Sequence, residues 1–502
     1  MPRTAKTVEV PAIGELDRQA GQLSLQLAQA LRAAINRGEL KPGDLLPSTR
    51  VLAAALQLAR GTVLAAFEQL TAEGFLEALP GSGTRVALSL HRQPPAPLNP
   101  ADICDIPLSS QAQALAQFAG QLRPLPPIPF TVSVPINDTA PDDVWRRLGN
   151  RIRARGPGAP AGYGEPLGAL PLRKAVCEYV RKSRSVLCTP EQVIITSGTQ
   201  QGLYLATQIL LDAGDTAWVE DPAYHGITAI FNSVFRDRRM VRVPVDAEGI
   251  DVVAGSKIAP QAKAAFVTPS HQYPLCMPMS MTRRLELLAW AKESRAWIVE
   301  DDYDSEMRYS GHPFPSLQGL DPARVVYLGT FSKILFPSLR LGYAIVPRPL
   351  VDAFCGARVL MDRHPPSADQ HVLASFMAQG HLDRHIRRMR GVYAEKRRVL
   401  TAAINTHVSA ELATLHPSDQ GMHMVLWLKA GLDDRQVVRR AAEAGVAVSA
   451  LSPMYGVGSG KSGLILGLGG YDDLQIHQAA QRLNQVLMTL SDTAIPSPLG
   501  EG

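Results

Sequence analysis

From Leu23 the chain repeats apolar residues at Leu27, Leu31, Ala34 and Ile35. That spacing predicts one buried helical face, which Gly38 and Pro42-Gly43 end. Pro47 and Ser48 open a second, short helix, and Leu58-Ala59-Arg60-Gly61-Thr62 turns into a third with Val63, Ala66, Phe67 and Leu70 on its apolar side. Gly74 to Glu77 and Arg85-Val86 then flank Pro80-Gly81-Ser82-Gly83-Thr84, which predicts two short strands around a glycine tip. Three helices and a two-stranded wing make a winged helix-turn-helix, an α+β head over residues 18–87.

The texture changes over residues 88–128, where HRQPPAPLNP and LRPLPPIP bracket SSQAQALAQFAGQ. Proline stiffens and extends such a stretch, so it reads as a linker with one short helix inside it. From 129 to 502 apolar runs recur at Val193–Ile195, Ala217–Val219, Ala265–Val267, Trp297–Val299, Val325–Tyr327 and Ala344–Val346, separated by helical patterns. That rhythm predicts an α/β body with a mostly parallel sheet covered on both faces, its large part reaching about residue 349. A small α+β part over 350–490 follows, with strand-like His423–Leu428 and Leu464–Leu466.

The runs are followed by Ser197-Gly198-Thr199, Glu220 to Tyr224, Pro269-Ser270-His271-Gln272, Glu300-Asp301-Asp302-Tyr303 and Thr330 to Lys333. Ligands bind at the carboxyl edge of an open α/β sheet, so these scattered segments are expected to converge on one pocket. The sharpest is Val326 to Lys333, followed by Leu339-Arg340-Leu341-Gly342. Lys333 could form a Schiff base with an aldehyde cofactor while Thr330, Ser332 and Arg340 grip its phosphate. The alternative is a solvated lysine after a strand.

Composition narrows the class. A chain of 502 residues with 46% hydrophobic content can bury a large core, and a net charge of +5 makes no general case for nucleic acid or membrane. The five cysteines stand far apart without a CxxC pair, which argues against a zinc site or a disulfide framework and suits a reducing cytoplasm. The start MPRTAKTVEV lacks an apolar signal core, and no apolar run approaches the roughly 18 to 20 residues of a membrane span. Gly456 to Ser462 imitates a nucleotide P-loop, but its glycine spacing falls one residue short, and a loop is the expectation.

The segments LKPGDLLPSTR and GFLEALPGSGT resemble the GntR family of bacterial transcription regulators. The resemblance implies DNA contacts from Ser48, Arg50, Arg60, Thr62 and Gly81. Arginines suit phosphates and guanine edges, and a helix start suits a phosphate. Ala59 and Gly61 supply neither the usual cap nor a polar reader, so Arg60 and Thr62 carry more of the contact. Acidic residues nearly balance the basic ones in the head, and dimerisation over paired half-sites is the expected remedy.

SHQYP, EDDYDSE and SKILFPSLRLGY in the body resemble the fold-type I pyridoxal phosphate enzymes, the aminotransferases. The order of head, linker and body looks like the MocR subgroup of GntR regulators. The resemblance implies pyridoxal 5'-phosphate on Lys333, with Asp301 on the ring nitrogen, Tyr303 on the phenolate oxygen and Tyr224 stacked on the ring. Ser197, Gly198, Thr199, Ser332 and Arg340 would cradle the phosphate, and Tyr163 would reach the phosphate of a second subunit in a homodimer. Three departures stand out. Ile465 occupies the place of the carboxylate-clamping arginine, Gly226 a place where some regulators use arginine, and Cys276 a glycine position. The expected function is a regulator whose body senses a small amine, an amino acid or the cofactor itself and controls operator binding. The alternative is a working aminotransferase with an added head, which repeated turnover would reveal.

Overall fold

The computed structural model describes residues 13–14, 16–79, 83–88, 107–121, 126, 128–132, 136, 142–154, 162–311, 314–416, 418–458 and 460–494. The chain divides after Leu108 into two compact units.

The first unit is the winged helix. Helices Leu23–Asn36, Thr49–Ala55 and Arg60–Ala72 enclose Leu27, Leu31, Leu52, Val63, Phe67 and Leu70, the residues that the periodicity puts inside. Ser48 caps the second helix by accepting from Val51 N–H, whereas Ala59 leaves the third uncapped. The wing strands β2 (Leu76–Leu79) and β3 (Gly83–Val86) pair antiparallel. A third, two-residue strand, β1 (Leu45–Leu46), joins β3.

The second unit is built on an eight-stranded sheet. Its strands are β4 (Val193–Thr196), β5 (Thr216–Asp221), β6 (Arg239–Asp246), β7 (Gly249–Ile250), β8 (Ala264–Val267), β9 (Trp297–Asp302), β10 (Val325–Thr330) and β11 (Gly342–Ile345). They lie in the order β4-β11-β10-β9-β8-β5-β6-β7. Neighbours from β6 to β10 run parallel, β11 is antiparallel to both its neighbours, and β7 is antiparallel to β6. Residues of β4, β8 and β10 are buried throughout, as expected of strands covered on both faces.

In the small part β12 (Ala413–Leu415), β13 (His423–Leu428), β14 (Ser449–Ala450) and β15 (Gly463–Gly467) form an antiparallel sheet in the order β12-β13-β15-β14. Met424, Leu426, Leu464 and Leu466 pack on helices His381–His407 and Asp473–Ala494, while Val425 and Ile465 bury the opposite face against Leu275 and Cys276. Both faces are thus apolar.

Two sequence assignments shift. Phe130 and Ile136, placed by sequence in the large part, lie in the core of the small part, and Phe130 C=O accepts from Gly467 N–H. The helix Ser110–Gln121, expected inside a linker, packs on the body: Phe118 stacks on His225 at 6.2 Å and Arg236 donates to Ser110 C=O. No described helix is long and apolar enough to cross a membrane.

Candidate cofactor cavity and DNA-binding head

The parallel register brings the carboxyl ends of β4, β5, β8, β9 and β10 to one edge. There a cavity of about 110 Å³ is lined by Thr199, Tyr224, Thr268, Tyr273, Asp301, Tyr303, Asp304, Lys333, Met422 and His423, with Val132 closing one side. A larger groove of about 1060 Å³ lies elsewhere, beside Lys174, Glu178, His371 and Asp383, and contains none of the residues singled out from sequence.

Asp301 is buried at the end of β9 and its Oδ1 has no hydrogen-bond partner. Burial, with Asp302, Glu220 and Asp304 nearby, pushes its carboxyl up to about 8. Burial also draws the Lys333 amine below its ordinary value, against the pull of Asp304 and Asp301. Within β9, strand alternation sends Glu300 and Asp302 to one face and Asp301 to the other, and the rest of the run EDDYDSE follows in a turn. Glu300 accepts from Leu317 and Gln318 N–H, and Asp302 holds Arg184 and the Tyr327 hydroxyl. Asp304 holds His271, and Glu306 accepts from Tyr179. Asp302 Oδ1 and Asp301 Oδ1 are both buried without a partner, but of the two acids only Asp301 lines the cavity.

Ser332 Oγ is also buried without a partner. Gly198, at φ +125°, precedes the helix Thr199–Leu210, and the Arg340 guanidinium lies beside it: a Cβ there would come within 3.6 Å of Nη2. The helix start and Arg340 thereby present donors at one point. Ser197 N–H is already committed to Gln201, and Thr330 Oγ1 accepts from Ser332 N–H. Tyr303 O–H lies 2.9 Å from His271 Nδ1, and Tyr224 meets Tyr273 edge to face at 5.7 Å. Tyr163 is not among the cavity residues. It is 75% exposed, with the Arg363 guanidinium 3.7 Å above its ring.

The departures acquire reasons. A Cβ on Gly226 would lie 2.1 Å from Gln200 Oε1 and 2.2 Å from Tyr224 Cε1, so the tyrosine ring occupies the space of a side chain there. Ile465 is fully buried on β15 and faces Cys276, not the cavity. Spacing suggested isolated thiols, yet the fold sets Cys177 and Cys188 Sγ atoms 3.4 Å apart, both buried. It also gathers His271, Cys276 and His423, three residues that sequence reasoning did not connect as a group because His423 lies 147 positions beyond Cys276. Burial raises the Cys276 thiol, but His423 and His271 outweigh that and bring it to about 6.

On the head, Arg32, Arg37 and Arg85 pair with Glu73, Glu39 and Glu77. Arg50 and Arg60, at the starts of the second and third helices, are exposed and have no ion-pair partner among the described residues. The near balance of charge therefore still leaves a free cation at the start of each of these two helices. Thr62 is half-buried beside Arg60, and Leu64 is exposed one turn on. Gly81 lies outside the described residues.

Residues 23–86 match the family "Bacterial regulatory proteins, gntR family", and residues 130–483 match "Aminotransferase class I and II". The probable rhizopine catabolism regulatory protein MocR of Rhizobium meliloti is 37% identical over 486 residues, 96% of this chain and 97% of that protein. The chain belongs to the MocR group of GntR-family transcription regulators. PdxR of Corynebacterium glutamicum, a pyridoxine biosynthesis regulator, is 32% identical over 93% of this chain and 95% of its own length. Among solved structures, the α-aminoadipate aminotransferase LysN of Thermus thermophilus, complexed with N-(5'-phosphopyridoxyl)-L-leucine, superposes with a TM-score of 0.69. It is 27% identical, covering 77% of this chain and all of that one. This MocR-type chain is thus a transcription regulator with a DNA-binding winged helix and an aminotransferase-like body.

Proposed function

We propose that the body holds pyridoxal 5'-phosphate at Lys333. A small amine or amino acid, or loading of the cofactor itself, would then set the operator affinity of the head. One observation carries this reading: a buried amine drawn toward its neutral form sits with two buried, unpartnered oxygens, on Asp301 and Ser332. Bound, the cofactor supplies an aldehyde that an amine can attack and a ring that accepts electron density. Lys333 would provide the amine, and the Asp301 carboxylate would accept a hydrogen bond from the protonated ring nitrogen. Tyr303 would face the phenolate oxygen, and Tyr224 would flank the ring. Ser197, Gly198, Thr199, Thr330, Ser332 and Arg340 would surround the phosphate, with Ser332 Oγ and the Arg340 guanidinium best placed to donate.

The regulator acts in the cytoplasm as a homodimer on double-stranded DNA, with Ser48, Arg50, Arg60, Thr62 and Gly81 at the duplex. Tyr163, outside its own chain's cavity, would complete the site of the second copy. Ile465, at the place of the carboxylate-clamping arginine, is buried and packs with Cys276, which supports sensing over repeated transamination. An effector shifts DNA affinity only if it binds the two conformations of the body differently.

Borohydride reduction of the full-length protein, followed by peptide mass analysis, should leave the cofactor on Lys333. DNA affinity should differ between loaded, unloaded and amine-treated protein. An unmodified Lys333 would overturn the cofactor assignment, and equal DNA affinity in every state would overturn the sensing role.

A further inference from the structure

We propose that His271, Cys276 and His423 form a binding site for one divalent transition-metal cation of borderline softness, with zinc as the type, at the seam between the large and small parts of the body. The three side chains are all buried, and each offers one ligand atom within 4.8 Å of the other two. A thiolate with two imidazoles is a donor set that zinc prefers to calcium or magnesium.

The outer nitrogens are already occupied as ligating imidazoles require. His271 Nδ1 bonds Asp304 Oδ1 at 2.9 Å, and its Nε2 is buried with no partner at all. His423 Nε2 lies 3.1 Å from Pro274 C=O, which leaves Nδ1 as its free donor atom. The Cys276 thiol has Pro274 C=O at 3.4 Å and His423 C=O at 3.7 Å, and its Sγ lies within 4.8 Å of a nitrogen of each imidazole. Gly421 packs directly on the His271 imidazole; a Cβ there would fall 1.8 Å from Cε1, so the ring is held in place.

The backbone adds its own indication. Cys276 has φ +66°, the left-handed region that glycine adopts at less cost. A side chain with a thiol stands there in spite of that cost. The surroundings, Val132, Leu275, Val425, Leu451 and Ile465, are apolar and exclude competing water. His423 also lines the cofactor cavity, which offers the cation its way in. His271 and Cys276 come from the loop after β8, whereas His423 opens β13. The cation would therefore staple the two parts of the body and give the regulator an input separate from the amine.

The test uses full-length protein, with and without pyridoxal phosphate. Zinc is titrated in competition with a chromophoric chelator, and cobalt(II) serves as the spectroscopic probe. One equivalent per chain should bind, and cobalt should show a sulfur-to-metal charge-transfer band and tetrahedral d–d bands. Cys276→Gly, which suits the local φ and should fold, is expected to lose the sulfur band and at least ~100-fold in affinity. His271→Gln should lose a similar factor. Absence of the sulfur band in the parent protein, or its survival in Cys276→Gly, would overturn the proposal. So would zinc binding that neither variant weakens. Failure of the cofactor assignment alone leaves the cobalt spectrum in place.

Discussion

Asp301 and Lys333 line the same cavity, and burial pushes each toward its neutral form, the acid up to about 8 and the amine below its ordinary value. Their mutual attraction is outweighed by the loss of water. A cofactor that brings a positive ring nitrogen to the acid and an electrophilic carbon to the amine relieves both at once.

The cofactor-free protein should consequently lose stability with rising pH. A folded carboxyl value above the unfolded one means that the native state binds the extra proton. Stability is then full below about 4, the unfolded value, and falls as pH rises toward 8. Asp301→Asn removes that contribution. Near pH 8 the cofactor-free variant should be more stable than the parent by at least ~1 kcal/mol, although it binds the cofactor less well. Thermal melts from pH 5 to 8, with the cofactor stripped, check this; identical pH slopes would contradict it.

Arg184 and Asp302 form an ion pair at 2.8 Å with both side chains almost fully buried, and Tyr327 O–H adds a 2.6 Å bond to the same carboxylate. Arg184→Ala strands the carboxylate and should cost about 3–5 kcal/mol. Urea unfolding of the body measures it, and a loss under 1 kcal/mol would show that water takes the arginine's place.

Arg60→Ala and Arg50→Ala should each weaken binding to any duplex, and each should lower the slope of log affinity against log salt by about 1. Fluorescence anisotropy between low and moderate salt gives the slope. Arg32→Ala, which removes an arginine already paired with Glu73, serves as the control and should leave the slope unchanged.

Gly226→Ala should displace the Tyr224 ring, since the added methyl has no room beside Gln200 and Tyr224. Weaker cofactor retention, on the order of tenfold or ~1.4 kcal/mol, is expected on dialysis, with the fold intact by circular dichroism. Retention equal to the parent would mean that Tyr224 is dispensable.

The sequence was most readable where local pattern and burial coincide. The apolar face of Leu27, Leu31, Ala34 and Ile35 is buried, and β13 spans the expected His423–Leu428. β6 escaped notice because Arg239, Arg242 and Asp246 interrupt its apolar residues on a partly exposed strand, and β1 and β7 are two residues each. Run-and-turn reading named Thr199, Tyr224, Asp301, Tyr303 and Lys333 of the cavity lining, because a parallel sheet sends every strand end to one edge, but not Val132, Met422 or His423, which come from outside those runs. It missed the meeting of His271 and Cys276 with His423, and of Cys177 with Cys188, since side-chain proximity across a fold leaves no periodic trace. The role of Gly226 was equally hidden, because it depends on where the Tyr224 ring lies.

The stacking of Phe118 on His225 anchors the helix Ser110–Gln121 one residue along the chain from Tyr224, which lines the cavity. Whatever displaces Tyr224 therefore pulls on that helix as well.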